Sequence, residues 1–306
     1  MNRRHVQRSR QGSVPELPSY LERLGLQPRK ALGQHFLIDE LVLGKIAEAG
    51  ASSGIDTVLE IGAGPGGLTE ELLSVFRNVV AIELDEELAA LTRKRLRDMT
   101  DSRAATLNVI AADILEFQPR ELLEEVGMSQ PYVVVGNLPF YITQPIVRHL
   151  LEADPSPVRT IVMVQREVAR RLVGGHDRES LLSISVKFYG KSQILFDVPA
   201  SSFWPQPKVN SAVVAIDRLD TPPVQIDIVE RPGFFHLVRT GFANPRKQLR
   251  NVLPGGLRLP TEDVIGLLES ANLNPTLRAQ HLDIMDWAKL YHAIQYAHPR
   301  LLLVRH

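Results

Sequence analysis

Asn137-Leu-Pro-Phe140 places an amide, a proline and an aromatic ring directly after an apolar run. That set suits chemistry at a planar exocyclic amine such as that of adenine. Such an amine is a poor nucleophile, because its lone pair is delocalised into the ring. Two acceptors on its N–H hydrogens favour a pyramidal nitrogen whose lone pair is free to attack. Asn137 can supply its side-chain carbonyl and Leu138 its backbone carbonyl. Pro139 fixes φ and brings no competing donor. Phe140 offers an apolar face for an extruded base. If the leaving group is neutral, no general base is needed at the outset, and the gain is proximity and orientation. The bland alternative is a turn after a buried strand.

The context upstream argues against that alternative. Thr57-Val-Leu-Glu-Ile-Gly62-Ala-Gly64-Pro-Gly66-Gly67 reads as a strand, a glycine turn and the start of a helix. Glycines let a backbone turn sharply and approach a ligand closely. Alone, such a turn would also admit a nicotinamide or flavin enzyme. Here the spacing is Gly-x-Gly-x-Gly, not the Gly-x-Gly-x-x-Gly expected where a pyrophosphate sits on a helix N-terminus. A cofactor without phosphate, S-adenosylmethionine, fits better. Glu83 ends the next strand, where a carboxylate can accept from both ribose hydroxyls, and Asp113 ends the third, where an acceptor can meet the cofactor's adenine amine. Singly, each acid would be an ordinary surface or capping residue. Gly62, Gly64, Glu83 and Asp113 at successive strand ends make a cofactor site.

To place these residues at one edge, the chain needs a largely parallel sheet. Strands are expected at Thr57–Ile61, Val79–Glu83, Leu107–Ala111, Tyr132–Gly136, Val158–Val164, Gln193–Val198 and Ser211–Ile216. Helical patterns fall at Leu68–Phe76, Glu86–Asp98, Gln144–Glu152 and Ser180–Tyr189. With no long helix between them, the last two strands should form an antiparallel hairpin at the sheet edge. The expected fold is α/β: a Rossmann-like class I methyltransferase sheet of seven strands, its last pair antiparallel, with a small all-α C-terminal domain. Thr221-Pro222-Pro223 interrupts the pattern. Beyond it only helices are expected, at Gly233–Phe242, Arg246–Leu253, Thr261–Ala271 and Ile284–Tyr296. The division is a basic tail and lead-in over 1–29, a catalytic domain over 30–220 and a helical domain over 221–306.

The chain has 306 residues, no cysteine, and equal numbers of basic and acidic side chains, 35 of each. Disulfides and thiolate metal sites are excluded, and no metal site is expected. No apolar run reaches the length of a membrane span, and no apolar leader follows the start, so a cytoplasmic protein is expected. Zero net charge leaves nucleic-acid binding to local patches. Residues 1–14 carry Arg3, Arg4, Arg8 and Arg10 without an acid and read as a disordered tail, with a targeting peptide as the rival. No acid falls between Glu230 and Glu262, where Arg246, Lys247 and Arg250 cluster. On the helix expected from Arg246, Arg246 and Arg250 are one turn apart and share a face, read as a phosphate-contacting surface over an ordinary solvated one. Phe234, Phe235, Trp287 and Tyr291 read as core.

With these motifs in place the sequence resembles the ribosomal RNA adenine dimethyltransferases, the bacterial small-subunit type above all, from about Lys30 to about Ala293. Its further markers are Gly33-Gln-His-Phe-Leu37, Gln165-Arg-Glu-Val-Ala-Arg-Arg-Leu172, Ser202-Phe-Trp-Pro-Gln-Pro-Lys-Val-Asn-Ser-Ala-Val-Val214 and Arg246-Lys-Gln-Leu-Arg-Asn251. The resemblance implies dimethylation of two adjacent adenosines near the 3′ end of small-subunit rRNA, on a late 30S assembly intermediate, by a monomer. It also implies that His35, Leu37 and Asn137 contact the cofactor, and that Phe203 sandwiches the target base against Phe140. His35 stands where asparagine is usual, and Phe140 where tyrosine is common. Two rivals share the scaffold: a large-subunit rRNA methyltransferase of the macrolide-resistance type, and a non-catalytic RNA or transcription factor. Asn274-Pro-Thr-Leu-Arg-Ala-Gln-His-Leu282 favours the small-subunit enzyme over the first. The retained Asn137, Glu83 and Asp113 favour an enzyme over the second.

Overall fold

A computed structural model describes residues 34–102, 105–128, 131–139, 142–175 and 179–302. The basic tail and Phe140 lie outside the described residues. In chain order the elements are β1 (Phe36–Leu37), α1 (Glu40–Ala51), β2 (Thr57–Ile61), α2 (Gly67–Val75), β3 (Asn78–Glu83), α3 (Glu86–Ser102), β4 (Thr106–Ala111), α4 (Pro119–Glu125) and β5 (Val133–Asn137). There follow α5 (Thr143–Glu152), β6 (Arg159–Gln165), α6 (Arg166–Val173), α7 (Leu181–Tyr189), β7 (Gly190–Val198), β8 (Phe203–Trp204) and β9 (Ser211–Arg218). The last four helices are α8 (Arg231–Phe242), α9 (Leu249–Leu257), α10 (Thr261–Ser270) and α11 (Ile284–Ala297).

Seven strands form one sheet in the order β4-β3-β2-β5-β6-β9-β7. The first five are parallel neighbours, and β9 runs antiparallel to both β6 and β7. The expected edge hairpin is therefore arranged with its second strand inside: β9 inserts beside β6 and leaves β7 at the edge. Burial accounts for that order. Residues Ser211–Ile216 of β9 are all buried, whereas β7 is half exposed along its length. The central strands read as continuous β-branched runs, Val133-Val134-Val135 and Ile161-Val162 among them, because helices cover both faces of a parallel sheet.

One core layer, including Leu59, Ile82, Val134 and Leu150, fills one face, and another, including Val58, Leu72, Val135 and Ile161, fills the other. The C-terminal helices close around a third, with Phe234, Phe235, Trp287 and Tyr291 buried as expected, and Leu290 beside them. Ile184 and Phe188 of α7 belong to that third core while Leu182 and Val186 belong to the first, so α7 joins the sheet layer to the helical one. The Arg231 guanidinium lies over the rings of both Phe188 and Tyr189, 5.6 Å from each centroid, and adds cation–π contacts at the junction.

Three helices were not anticipated. Helix α1 starts at Asp39, whose carboxylate accepts from the N–H groups of Leu41 and Val42. Helix α4 carries Pro119 in its first turn and a Gln118/Glu121 capping box. Both start signals are visible in the sequence; α4 is only seven residues long, too short for its periodicity to stand out. Helix α6 occupies Arg166–Val173, inside the Gln165–Leu172 motif. One expectation is corrected. Arg246 and Lys247 do not share a helical face with Arg250, because α9 begins only at Leu249. Lys247 N–H closes a turn on Asn244, and the first N–H groups of α9, from Leu249 and Arg250, are taken by the carbonyls of Leu277 and Pro275.

Candidate active site

The sheet order reverses between β2 and β5, which are parallel neighbours. At such a switch point the loops leave in opposite directions and open a crevice beyond the carboxyl ends of the strands. Here a concave, largely apolar crevice opens to solvent beyond those strand ends, the form that small-molecule sites take. Gly62, Gly64, Glu83, Asp113, Asn137, Leu138, Pro139 and His35 all line it. Four strand ends thus converge as their spacing predicts.

Gly62 and Gly64 have φ of +77° and +54°, which side-chain-bearing residues rarely adopt. A Cβ on Gly62 would sit 3.2 Å from the Asn137 carbonyl, so the turn and the β5 end are in close approach. Glu83 anchors this turn. One of its carboxylate oxygens accepts from Gly64 N–H at 2.7 Å and the other from Asp85 N–H at 3.0 Å. Burial lifts its pKa above the ordinary carboxylate range, and the two backbone N–H groups oppose the shift. A carboxylate offers about four lone-pair sites, so two remain for a ligand. Asp113 uses one oxygen to accept from Leu115 N–H at 2.9 Å, an Asx turn that holds the other end of the slot. Ile61, Ile82, Leu84, Leu88 and Ile114 supply apolar walls between the acids.

An apolar slot ending in acceptors suits a purine nucleoside. No lysine or arginine is among the described residues that line it. Adenine and ribose fit such a donor-poor, acceptor-rich set, as S-adenosylmethionine would present them: ribose hydroxyls toward Glu83 and an adenine amine toward Asp113.

Asn137 stands at the inner wall. Its Nδ2 donates to the backbone carbonyl of His35 at 3.3 Å. A carbonyl can only accept, so the bond orients the amide and points Oδ1 the other way, as the acceptor role requires. His35 is in turn pinned: Nδ1 bonds the Pro205 carbonyl at 2.7 Å, which sets the ring's tautomer with the proton on Nδ1. The segment around it is tied to the β7–β9 connection by the β1–β8 pairing, by Ile38 N–H to the Ser202 carbonyl, and by the Ser202 hydroxyl to Asp39. Leu138 is buried, its N–H donating to the Met163 carbonyl at 3.2 Å, while the Pro139 carbonyl accepts from Ile142 N–H and the Thr143 hydroxyl at the start of α5.

Two predicted residues fall elsewhere. Leu37 and Phe203 are register partners on β1 and β8, and both side chains sit in the core cluster with Val58, Val135 and Ile161, 7% and 3% exposed. Phe203 is covered in this structure, and neither it nor Leu37 lines the crevice. The strand pairing that ties His35 to the site turns these two side chains inward. Arg246 and Lys247 are exposed and Arg250 half-buried, outside the crevice lining.

One residue beside the site was missed. Glu60 is fully buried within β2 and its carboxyl is pushed up to about 8, chiefly by desolvation. Oε2 accepts from the Thr69 hydroxyl at 2.6 Å and Oε1 has no partner. An acid in the middle of an otherwise apolar strand was the available signal.

The strand order, the reversed β9 and the crevice define an α/β methyltransferase fold. Among solved structures, a dimethyladenosine transferase from Plasmodium falciparum superposes with a TM-score of 0.71 at 24% identity, covering 85% of this chain and 98% of that one. The 23S rRNA methyltransferase ErmE does so with a TM-score of 0.64 at 26% identity, covering 85% and 99%. The chain belongs to the ribosomal RNA adenine dimethylase family, which its residues 25–291 match. It is 40% identical to the ribosomal RNA small subunit methyltransferase A of Dehalococcoides mccartyi strain CBDB1, over 90% of this chain and 91% of that protein. It is 35% identical to the protein of the same description from Geobacillus thermodenitrificans, over 90% and 93%. Among the described residues no helix is long and apolar enough to cross a membrane.

Proposed function

We propose that this protein dimethylates the N6 amines of two adjacent adenosines near the 3′ end of small-subunit (16S) rRNA, using S-adenosylmethionine, late in 30S subunit biogenesis. The observation that carries the reading is the oriented amide of Asn137, held by His35 in the same crevice as Glu83 and Asp113. Family membership and the small-subunit relatives support the choice of substrate.

When bound, the cofactor supplies an electrophilic methyl group on a sulfonium. Glu83 and Asp113 would hold its ribose and adenine, and the Gly62–Gly64 turn carries no side chain to obstruct it. Asn137 Oδ1 and the Leu138 carbonyl accept from the two N–H hydrogens of the target amine, while Pro139 limits the freedom of the loop. Phe140 provides the face on which the flipped base stacks. The amine nitrogen would form its new N–C bond as the S–CH3 bond breaks, a neutral thioether (S-adenosylhomocysteine) would leave, and the proton on nitrogen would pass to solvent after transfer. Their rigid placement is the main source of rate.

Residues 30–220 act as the catalytic domain and 221–306 as the RNA-contacting domain, with Arg246, Lys247 and Arg250 on phosphates and residues 1–29 as a basic lead-in. The enzyme works as a monomer in the cytoplasm, on an assembly intermediate of the small subunit. The test is mass spectrometry of rRNA after incubating purified protein and labelled S-adenosylmethionine with undermethylated 30S particles. Two adjacent N6,N6-dimethyladenosines are expected. Label in large-subunit RNA alone, or none with intact cofactor binding, would overturn the assignment.

A further inference from the structure

The glycine turn is held from a side that the motif does not reveal. Helix α3 leaves the end of β3 and passes behind the turn. Thr92 and Arg95 lie three residues apart on α3 and so share a face. The Thr92 hydroxyl donates to the Gly64 carbonyl at 2.7 Å. Arg95 Nε donates to the Pro65 carbonyl at 3.0 Å, and Nη2 to the Gly66 carbonyl. Three consecutive carbonyls, 64, 65 and 66, thus accept from one turn of one helix. Glu70 of α2 takes a third edge of the same guanidinium, Nη1 to Oε2 at 2.7 Å.

The packing is as close as the hydrogen bonding. Thr92 is fully buried and the Arg95 side chain is 18% exposed. A Cβ on Gly66 would meet Thr92 Cγ2 at 2.9 Å and Arg95 Nη2 at 3.0 Å. On the other flank Glu83 takes Gly64 N–H. The Gly64 residue is therefore gripped at both ends, its N–H by the cofactor acid and its carbonyl by α3. A planar guanidinium presents its donors in a fixed fork, and three acceptors on two elements satisfy three of them; an ammonium cannot bridge the same set.

We propose that Arg95, seconded by Thr92, is a positioning residue for the cofactor: by holding the 64–66 carbonyls against α3 it keeps Gly62 and Gly64 shaped and facing the crevice, without touching the ligand. The inference rests on the cofactor reading given above. If it holds, loss of Arg95 weakens cofactor binding and leaves the methyl-transfer step itself little changed once the site is saturated.

The test compares wild type with Arg95→Met, Arg95→Lys and Thr92→Val in the full-length protein. Affinity for S-adenosylhomocysteine is read by calorimetry, kcat and KM for S-adenosylmethionine by turnover on 30S particles, and Tm by thermal unfolding. For Arg95→Met, Kd and KM are expected to rise roughly tenfold or more with kcat within about twofold, in line with the loss of charge-assisted hydrogen bonds. Arg95→Lys should recover only part of the loss. Thr92→Val, nearly isosteric, should weaken binding less than Arg95→Met while folding normally. Variants of lowered Tm but unchanged Kd would make Arg95 a purely structural residue and overturn the proposal, as would full rescue by lysine. If Arg95→Met does not fold, the lysine and valine variants decide alone, and unchanged Kd in both overturns it. Wild-type protein that fails to bind S-adenosylhomocysteine would sink the cofactor reading itself, a result distinct from variants that bind as well as wild type does.

Discussion

Asn137 and His35 are 102 positions apart in the chain, yet Nδ2 of the first donates to the backbone carbonyl of the second at 3.3 Å. This one bond decides which end of the amide faces the crevice. It couples the acceptor at the β5 end to a segment that comes before the first strand of the sheet.

Replacing Asn137 by alanine removes the acceptor, and replacing it by aspartate sets a carboxylate against the His35 carbonyl. Both should lower kcat about 100-fold or more, comparable to the loss of one group from an oxyanion hole. Cofactor affinity should stay within a few-fold, because Glu83 and Asp113 are untouched. Single-turnover kinetics beside calorimetry separate the two quantities, and near-wild-type turnover by Asn137→Ala would refute the assigned role.

Glu83 serves the turn and the ligand together. Glu83→Ala releases Gly64 N–H and removes two prospective ribose partners, so S-adenosylmethionine should bind more weakly by about 1–3 kcal/mol. Glu83→Gln should not restore it, since both oxygens already accept from backbone N–H groups and an amide nitrogen cannot. Equal dissociation constants for wild type and Glu83→Ala would count against the site as drawn.

Glu60 makes stability depend on pH. Its carboxyl titrates near 4.5 when exposed and near 8 in the native protein. Between those values the folded state keeps the proton while the unfolded chain has lost it. The stabilisation is therefore complete below about pH 4.5 and declines as pH rises toward 8, by up to about 1.4 kcal/mol per unit. Glu60→Gln imitates the neutral acid and should be less sensitive to pH over this range. Denaturant unfolding at pH 5.5 and 8.5 should find the variant's advantage over wild type larger at the higher pH by about 2–4 kcal/mol. Parallel pH profiles for the two proteins would show that Glu60 is ionised in the fold.

Arg246, Lys247 and Arg250 lie on an exposed turn and the helix it leads into. Changing all three to alanine should reduce the slope of log affinity against log salt by roughly 0.7–0.9 for each phosphate no longer neutralised. The sheet core should be undisturbed, since none of the three lines it. Filter binding of 16S RNA across a salt series measures the slope, and an unaltered value would place the RNA surface elsewhere.

Much of this architecture is legible in the sequence because its signals are local. The apolar runs of β2, β3 and β5 mark buried parallel strands, Gly62 and Gly64 mark a turn that needs positive φ, and strand-end acids mark a crevice. Those residues needed no partner to be identified. Helix α4 spans only seven residues, too few to display periodicity, and Arg246 lies outside a helix because α9 starts at Leu249, where the carbonyls of Leu277 and Pro275 take its first N–H groups.

The amino-acid sequence by itself determined the class of sheet and the glycine turn, acids and Asn137 at its strand ends, since period and turn chemistry act over a few residues. Only the tertiary structure decided how those residues are held. The tilt of the Asn137 amide comes from His35, the covering of Phe203 from its pairing with Leu37, the raised pKa of Glu60 from its burial, and the grip on the glycine turn from Thr92 and Arg95. Each depends on groups brought together across long stretches of chain, where burial and hydrogen-bond geometry set the outcome and no local pattern records them.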